Sequence, residues 1–283
     1  MKIGAAIFFT DYSIQPAQLG PAMEERGFES LWAPEHSHIP ADGKTPFPAG
    51  GNLPQKYHDT MDPFVTLTAA ATATTRLKIG TAICLVIQRD PIQTAKAVAS
   101  LDKISNGRFQ FGVGAGWNAE EMANHGTVFK TRLSMLRERI EAMRTIWTAD
   151  IATYQGQFVS FSEIMAWPKP AQKPNPPILM GGAFPFGAKR AIGYADGWFP
   201  HARRPAYSHV LDKFPEFRQM VAETGRNPNN FPISVYGIDE DLDLLKRYRD
   251  AGTDRVMFEL PSTGAEEVMP ILDRCAEFMN KLG

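Results

Sequence analysis

The chain reads as an α/β protein, a single (β/α)8 TIM barrel over residues 1–283 with an insertion around 151–177 and a long loop around 39–61. Three observations predict this class. About eight apolar runs of strand length alternate with helical patterns, the rhythm of parallel βαβ units. Polar or glycine-rich residues follow the second, third, fourth and fifth of those strands. A closed barrel brings all such loops to one mouth, whereas the rival, an open doubly wound sheet, collects its ligand residues at one switch point. Finally, 283 residues at 43% hydrophobic content can bury one large core.

The elements follow in order. Residues 2–9 form the first strand, and a helix over 16–26 ends where Gly27 supplies a left-handed cap. The second strand, 28–32, runs into Ala33-Pro34-Glu35-His36-Ser37-His38, an unusual density of ionisable groups just past a strand. The loop 39–61, rich in Pro and Gly, has the size of a lid or binding loop and is expected to be mobile when nothing is bound. Asp62-Pro63 starts a helix, residues 76–83 form the third strand, and Asp90-Pro91 starts a helix with Ala95, Val98, Leu101 and Ile104 on one face.

The fourth strand, 108–113, enters the turn Gly114-Ala115-Gly116 and a helix near Asn118. The stripe Leu133, Leu136, Ile140, Met143 and Ile146 then marks a long amphipathic helix whose apolar face is core. Residues 151–177 break the rhythm with a small hairpin and a Pro-rich linker, an excursion that shapes either a substrate pocket or a subunit contact. The fifth strand, 178–180, ends in Gly181-Gly182-Ala183. Beyond it come a helix over 186–195, a short strand at 197–199, a helix over 205–224, a strand at 233–237, a helix over 239–251, a strand at 255–259 and a terminal helix over 264–281.

A formal charge of -1 argues against a nucleic-acid or membrane-surface partner. No run approaches the ~20 apolar residues of a membrane span. The apolar residues 1–9 lack a signal peptide's cleavage pattern and read as a buried strand. Two cysteines, Cys84 and Cys275, are too few for a disulfide framework and suggest a reducing cytoplasm. No metal site is expected, because His58, His125, His201 and His209 are scattered without ligand-like spacing.

Two stretches carry chemistry. The glycines after the fourth strand let the backbone approach a flat or charged group, and the helix start offers N–H groups to an anion. The alternative is a tight turn that uses glycine for steric reasons alone. His36 is the candidate acid/base, because an imidazole near neutral pKa can pass the proton that accompanies a hydride, and the adjacent Glu35 would orient it or favour its charged form. The alternative is a pair of solvated loop residues. His38 is a weaker companion in the same pocket.

The stretches 28–32 with Glu35-His36, 77–82, 105–109, 112–117, 177–182 and 195–198, in that order, resemble the bacterial luciferase-like flavin and deazaflavin oxidoreductases, and within them the branch that uses the deazaflavin coenzyme F420. The resemblance implies a planar ring in the barrel mouth against a bulge at Ala82-Ile83, often with a non-proline cis peptide there. It implies a phosphate cradle at Gly181, Gly182 and Ala183, with Ala115 and Gly116 flanking the ring or its ribityl chain and Trp117 covering the substrate side. The sugar-phosphate dehydrogenases of the deazaflavin branch carry a glutamate where Trp117 stands. This departure favours an apolar or aromatic substrate near Phe47, Trp117, Phe184 and Phe186. Arg203 and Arg204 either meet the coenzyme's anionic tail or are solvated at the surface.

The expected function is an F420-dependent oxidoreductase moving a hydride to or from a small organic substrate, in a homodimer. One alternative is an FMNH2-dependent monooxygenase served by a partner flavin reductase. Another is a barrel that binds the cofactor (F420 or FMN) without turnover.

Overall fold

The computed structural model describes residues 1–207 and 209–282. Eight parallel strands form the barrel: β1 (Lys2–Ala6), β2 (Ser30–Ala33), β3 (Lys78–Thr81), then, beyond the two-residue β4 (Cys84–Leu85), β5 (Phe109–Gly114). After the antiparallel hairpin β6 (Ala152–Gln155) and β7 (Ser160–Ile164), the barrel continues with β8 (Ile178–Gly181), β9 (Gly197–Phe199), β10 (Ser234–Ile238) and β11 (Arg255–Glu259). Hydrogen-bonded neighbours run β10-β11-β1-β2-β3-β5-β8-β9. Parallel bridges Trp198–Ile233 and His201–Tyr236 close the ring between β9 and β10. The expected cylinder is therefore present, and the open sheet is not.

Helices α1 (Pro16–Glu25), α2 (Pro63–Thr72), α3 (Pro91–Ile104), α4 (Ala119–Asn124), α5 (Arg132–Thr148), α6 (Phe186–Tyr194), α7 (Phe214–Ala222), α8 (Leu242–Asp250) and α9 (Ala265–Leu282) follow the strands. Their starts follow from local chemistry. The Asp62 carboxylate accepts from Phe64 and Val65 N–H, and Asp90 accepts from Gln93 N–H, each ahead of a proline that has no N–H to leave unpaired. Gly27 adopts φ +82 beyond α1, as a left-handed cap requires.

One large apolar core lies between strands and helices. A smaller cluster of Ala6, Trp32, Leu179, Phe199, Tyr236 and Met257 fills the lumen. Trp32 fits there because Gly80 faces it: a Cβ on Gly80 would come within 2.4 Å of the indole. The Trp32 Nε1–H donates to Ser30 Oγ at 2.8 Å, so the ring's polar edge is satisfied in the dry interior.

One expectation needs correction, and one of the two roles expected of residues 151–177, shaping a substrate pocket, is not met. The helix predicted over 205–224 is broken into 3-10 turns at Pro205–Tyr207 and Val210–Lys213 before α7 begins at Phe214. His209 takes φ +58, and Pro215 is accommodated only in a helix's first turn. The 151–177 excursion packs on the outside of α5, where Glu138 accepts the N–H groups of Gln157, Phe158 and Val159, and none of its residues lines the barrel mouth. No helix among the described residues is long and apolar enough to cross a membrane.

Strand packing at β5 leaves no room for a side chain at Gly112, whose added Cβ would lie 2.0 Å from the Thr81 carbonyl oxygen. Gly112→Ala should lower stability by about 3 kcal/mol, at the upper end for overpacking, read as a lower denaturation midpoint.

Candidate active site

A cavity of about 550 Å³ opens where the C-terminal ends of the barrel strands meet. Glu35, His36, Ala82, Ile83, Ala115, Gly116, Trp117, Gly181, Gly182 and Ala183 all line it, although they come from four separate strand ends. His38 does not. Its ring lies outside the cavity, bonded to Ser37 Oγ at 2.9 Å and to Asn124 Nδ2 at 2.9 Å, because β2 has already turned away into the loop.

The wall between β3 and β8 is built for close approach. The Ala82–Ile83 peptide is cis. The Ile83 side chain lies over two glycines, since a Cβ on Gly114 would meet its Cδ1 at 2.7 Å and one on Gly181 its Cγ2 at 3.3 Å. Gly116, at φ +63, has Leu85 and Met122 behind it. Backbone and one isoleucine thus present a smooth apolar face, the shape a planar ring can lie against.

One end of the cavity is electropositive. Gly182 takes φ +137, and a Cβ there would come within 2.8 Å of Arg190 Nη2. The turn leads into α6, whose first turn has no side-chain cap. Arg190 and Arg132 both line the cavity, and the Nε of each is buried without a hydrogen-bond partner among the described residues. Burial and then the charge of Arg190 push the Arg132 guanidinium below its usual range. A glycine turn, an uncapped helix start and two guanidiniums are the groups here that could hold a dianion. The sequence reading found the glycines and missed both arginines. Arg190 was readable as a basic residue on the helix that follows the Gly-Gly turn, whereas Arg132 carried no local signal.

The histidine's partner also differs from expectation. Glu35 does not orient His36. Its carboxylate accepts from Leu85 N–H at 2.6 Å and from Arg89 Nε at 2.5 Å, and Arg89 continues to Asp62. A residue next to another on an extended chain points away from it, so Glu35 is committed to the neighbouring strand. Burial works against the charge on Arg89, but Glu35, Cys84 and Asp62 outweigh it and raise its pKa.

His36 is held instead by Glu121 of α4, with 2.8 Å between Nδ1 and Oε2. Burial raises the Glu121 pKa, but the His36 bond, the His36 charge and the Ser37 N–H lower it more, so the group stays a carboxylate. A carboxylate at Nδ1 fixes the tautomer with its proton there and leaves Nε2 as the ring's basic atom. Nε2 meets no partner among the described residues. Asn118, whose carboxamide oxygen accepts the Glu121 N–H, starts α4 in the register that aims Glu121 at β2.

Aromatic rings cover this end. Trp117 stands edge-on to His36 at 5.8 Å, and Tyr57 lies 5.4 Å from the same ring. Phe47 touches both Trp117 and Tyr57 from the long loop. Thr45 and Lys44 of that loop are bound to the Glu120 carboxylate through Thr45 Oγ1 at 2.5 Å and both backbone N–H groups. Phe186 lines the cavity while 69% exposed. Phe184 does not line it and packs on Trp198 instead. Leu133 and Leu136 of the α5 stripe reach the cavity as well.

His201, also on the wall, accepts Arg203 N–H at Nδ1 over 3.0 Å. Burial, then Arg204, Arg203 and Lys56, push it down to about 3, so it is neutral at physiological pH. Among the described residues no group of three or more His, Cys, Asp or Glu side chains could hold a metal ion.

Comparison with known proteins agrees with this geometry. A family model described as luciferase-like monooxygenase matches residues 16–238. An uncharacterized protein of Mycobacterium tuberculosis, Rv0953c, is 36% identical over 285 residues, 98% of each chain. An F420-dependent hydroxymycolic acid dehydrogenase of the same organism is 28% identical over 224 residues, 78% of this chain and 56% of that one. Among solved structures, an F420-dependent secondary alcohol dehydrogenase in complex with an F420-acetone adduct superposes with a TM-score of 0.76 at 19% identity, covering 100% of both chains, which speaks for the fold.

Two predictions follow from the charges. Glu35→Gln leaves Leu85 N–H and Arg89 poorly matched and should cost about 3 kcal/mol in chemical denaturation, the usual scale for a broken buried pair. The neutral His201 resists protonation while the unfolded chain, with an ordinary pKa of 6.5, takes the proton, so stability must fall as pH drops from 6.5 toward about 3. His201→Asn should remove up to about 1.4 kcal/mol per pH unit from that acid slope, measured by urea titrations across the window.

Proposed function

Because the chain belongs to the luciferase-like monooxygenase family, we propose that it is an oxidoreductase moving a hydride between the deazaflavin coenzyme F420 and a small, largely apolar organic substrate. One observation carries the reading: a single cavity joins a dianion site at Gly182, Arg132 and Arg190 to a carboxylate-held histidine at its other functional end. The named F420-dependent relative and the sequence motifs support the deazaflavin over a flavin.

The residues present fit such a group. Glycines stand where any Cβ would clash, and buried guanidinium and indole nitrogens, Arg132 Nε, Arg190 Nε and Trp117 Nε1, lack hydrogen-bond partners among the described residues. Gly181, Gly182, Ala183 and the two arginines would hold its phosphate, while Ile83, Ala115 and Gly116 would support its ring. The bound deazaflavin supplies a carbon, in place of the central flavin nitrogen, that takes or gives a hydride. Everything else is this chain's work. Glu121 keeps the Nδ1 proton of His36 in place and stabilises the imidazolium when Nε2 takes a proton from a substrate hydroxyl. Tyr57, Phe47 and Trp117 exclude water from that exchange. In the opposite direction the imidazolium returns the proton to a carbonyl oxygen.

A second reading is an FMNH2-dependent monooxygenase fed by a partner reductase. The apolar lining favours it, because oxygen chemistry on a reduced flavin would need a pocket from which water is kept out.

Fluorescence titration with F420 and with reduced FMN tests the choice: micromolar F420 binding is expected, and its absence alongside oxygen consumption with reduced FMN selects the monooxygenase. Arg190→Gln should weaken cofactor binding tenfold or more, as loss of a charge-assisted contact does. His36→Ala should lower turnover by about 10²- to 10⁴-fold while cofactor affinity changes little; equal losses in both would deny it the proton role.

A further inference from the structure

Three cationic side chains surround His201, and they are not equivalent. Lys56 is paired with Glu259 at 2.5 Å, and Arg203 with Asp239 at 2.7 Å. Arg204 lines the cavity and has no carboxylate partner among the described residues. Its neighbour is Tyr57, whose phenol burial pushes up while the Arg204 guanidinium opposes that rise. A guanidinium facing a largely apolar wall, where nearby cations already have their counter-ions, is one charge short of balance.

The position says whose charge completes it. Tyr57 packs its ring against His36 and lies near enough to Arg204 to feel its charge, and all three line the same cavity. The Arg132–Arg190 pair keeps different company, the Phe129 ring and the Gly182 turn. The wall beside Arg204 and His36 is Phe8, Trp117, Phe199 and Tyr236.

We infer that the substrate is an acid, an apolar body bearing a carboxylate, and that Arg204 receives that carboxylate while His36 faces the hydroxyl or carbonyl oxygen on the carbon that gives or takes the hydride. The inference rests on the function proposed above in taking this cavity as the substrate site. The guanidinium fork matches a carboxylate in two-point geometry, which a neutral amide cannot copy. Arg204 is thus a specificity residue, and the reacting group is a hydroxyl or carbonyl elsewhere on the same molecule.

The test is a calorimetric titration of the whole protein, with and without F420, using aryl and alkyl carboxylates matched to their amides, phenylacetate against phenylacetamide among them. At least one acid should bind tenfold or more tightly than its amide. Arg204→Gln should abolish that preference, and Arg203→Gln, which removes a cation already paired with Asp239, should keep it. Equal affinity across every pair, including none for either member, overturns the inference, as does a preference that survives Arg204→Gln. Loss of F420 affinity in Arg204→Gln with the acid preference intact gives the residue to the coenzyme's tail instead. Failure of F420 to bind the wild type would count against the proposed cofactor alone, because the acid-to-amide ratio is read in its absence as well.

Discussion

The mouth of this barrel depends on the buried carboxylate of Glu35. It takes the N–H of Leu85 and the guanidinium of Arg89, and Arg89 reaches on to Asp62, whose other oxygen starts α2. Two consecutive βα connections, β2–α2 and β3–α3, are tied by one group. Desolvating a carboxylate is costly, and the cost is offset only because a cation and a backbone donor both meet it. With the end of β2 so anchored, His36 projects into the cavity and Ile83 is held over the glycines of β5 and β8.

Burial then assigns the charges. Glu121 remains ionised because His36 and Ser37 bond to it, while His201 stays neutral because burial and three nearby cations all disfavour its proton. Two histidines in one cavity are thereby given different electrostatic tasks by their surroundings. One is basic at Nε2 and backed by an anion; the other is a neutral polar group in a positive field.

Much of the fold was legible because its signals are local. Asp-Pro pairs at 62–63 and 90–91 start helices, glycines end strands, and apolar runs recur at strand length. The glycine turns at 114–116 and 181–183 were legible for the same reason, whereas the part played by Ala82 and Ile83 came from the resemblance alone. Side-chain pairing was not. Glu121 lies 85 residues from His36, and nothing at either position announces the other, so adjacency in sequence pointed wrongly to Glu35. The break at His209 and Pro215 was masked by an apolar pattern that continues across it, and the outward path of His38 depends on where β2 turns. Arg132 and Arg190 reach the same cavity only once α5 and α6 have packed around the barrel.

The six-residue helix α4 carries adjacent glutamates with opposite loads. Glu120 grips the backbone of the long loop at Lys44 and Thr45, and Glu121 grips the histidine. So short a rod has no internal joint, and a tilt that slackens one grip must disturb the other. The aromatic roof and the imidazole are in this way anchored to one element.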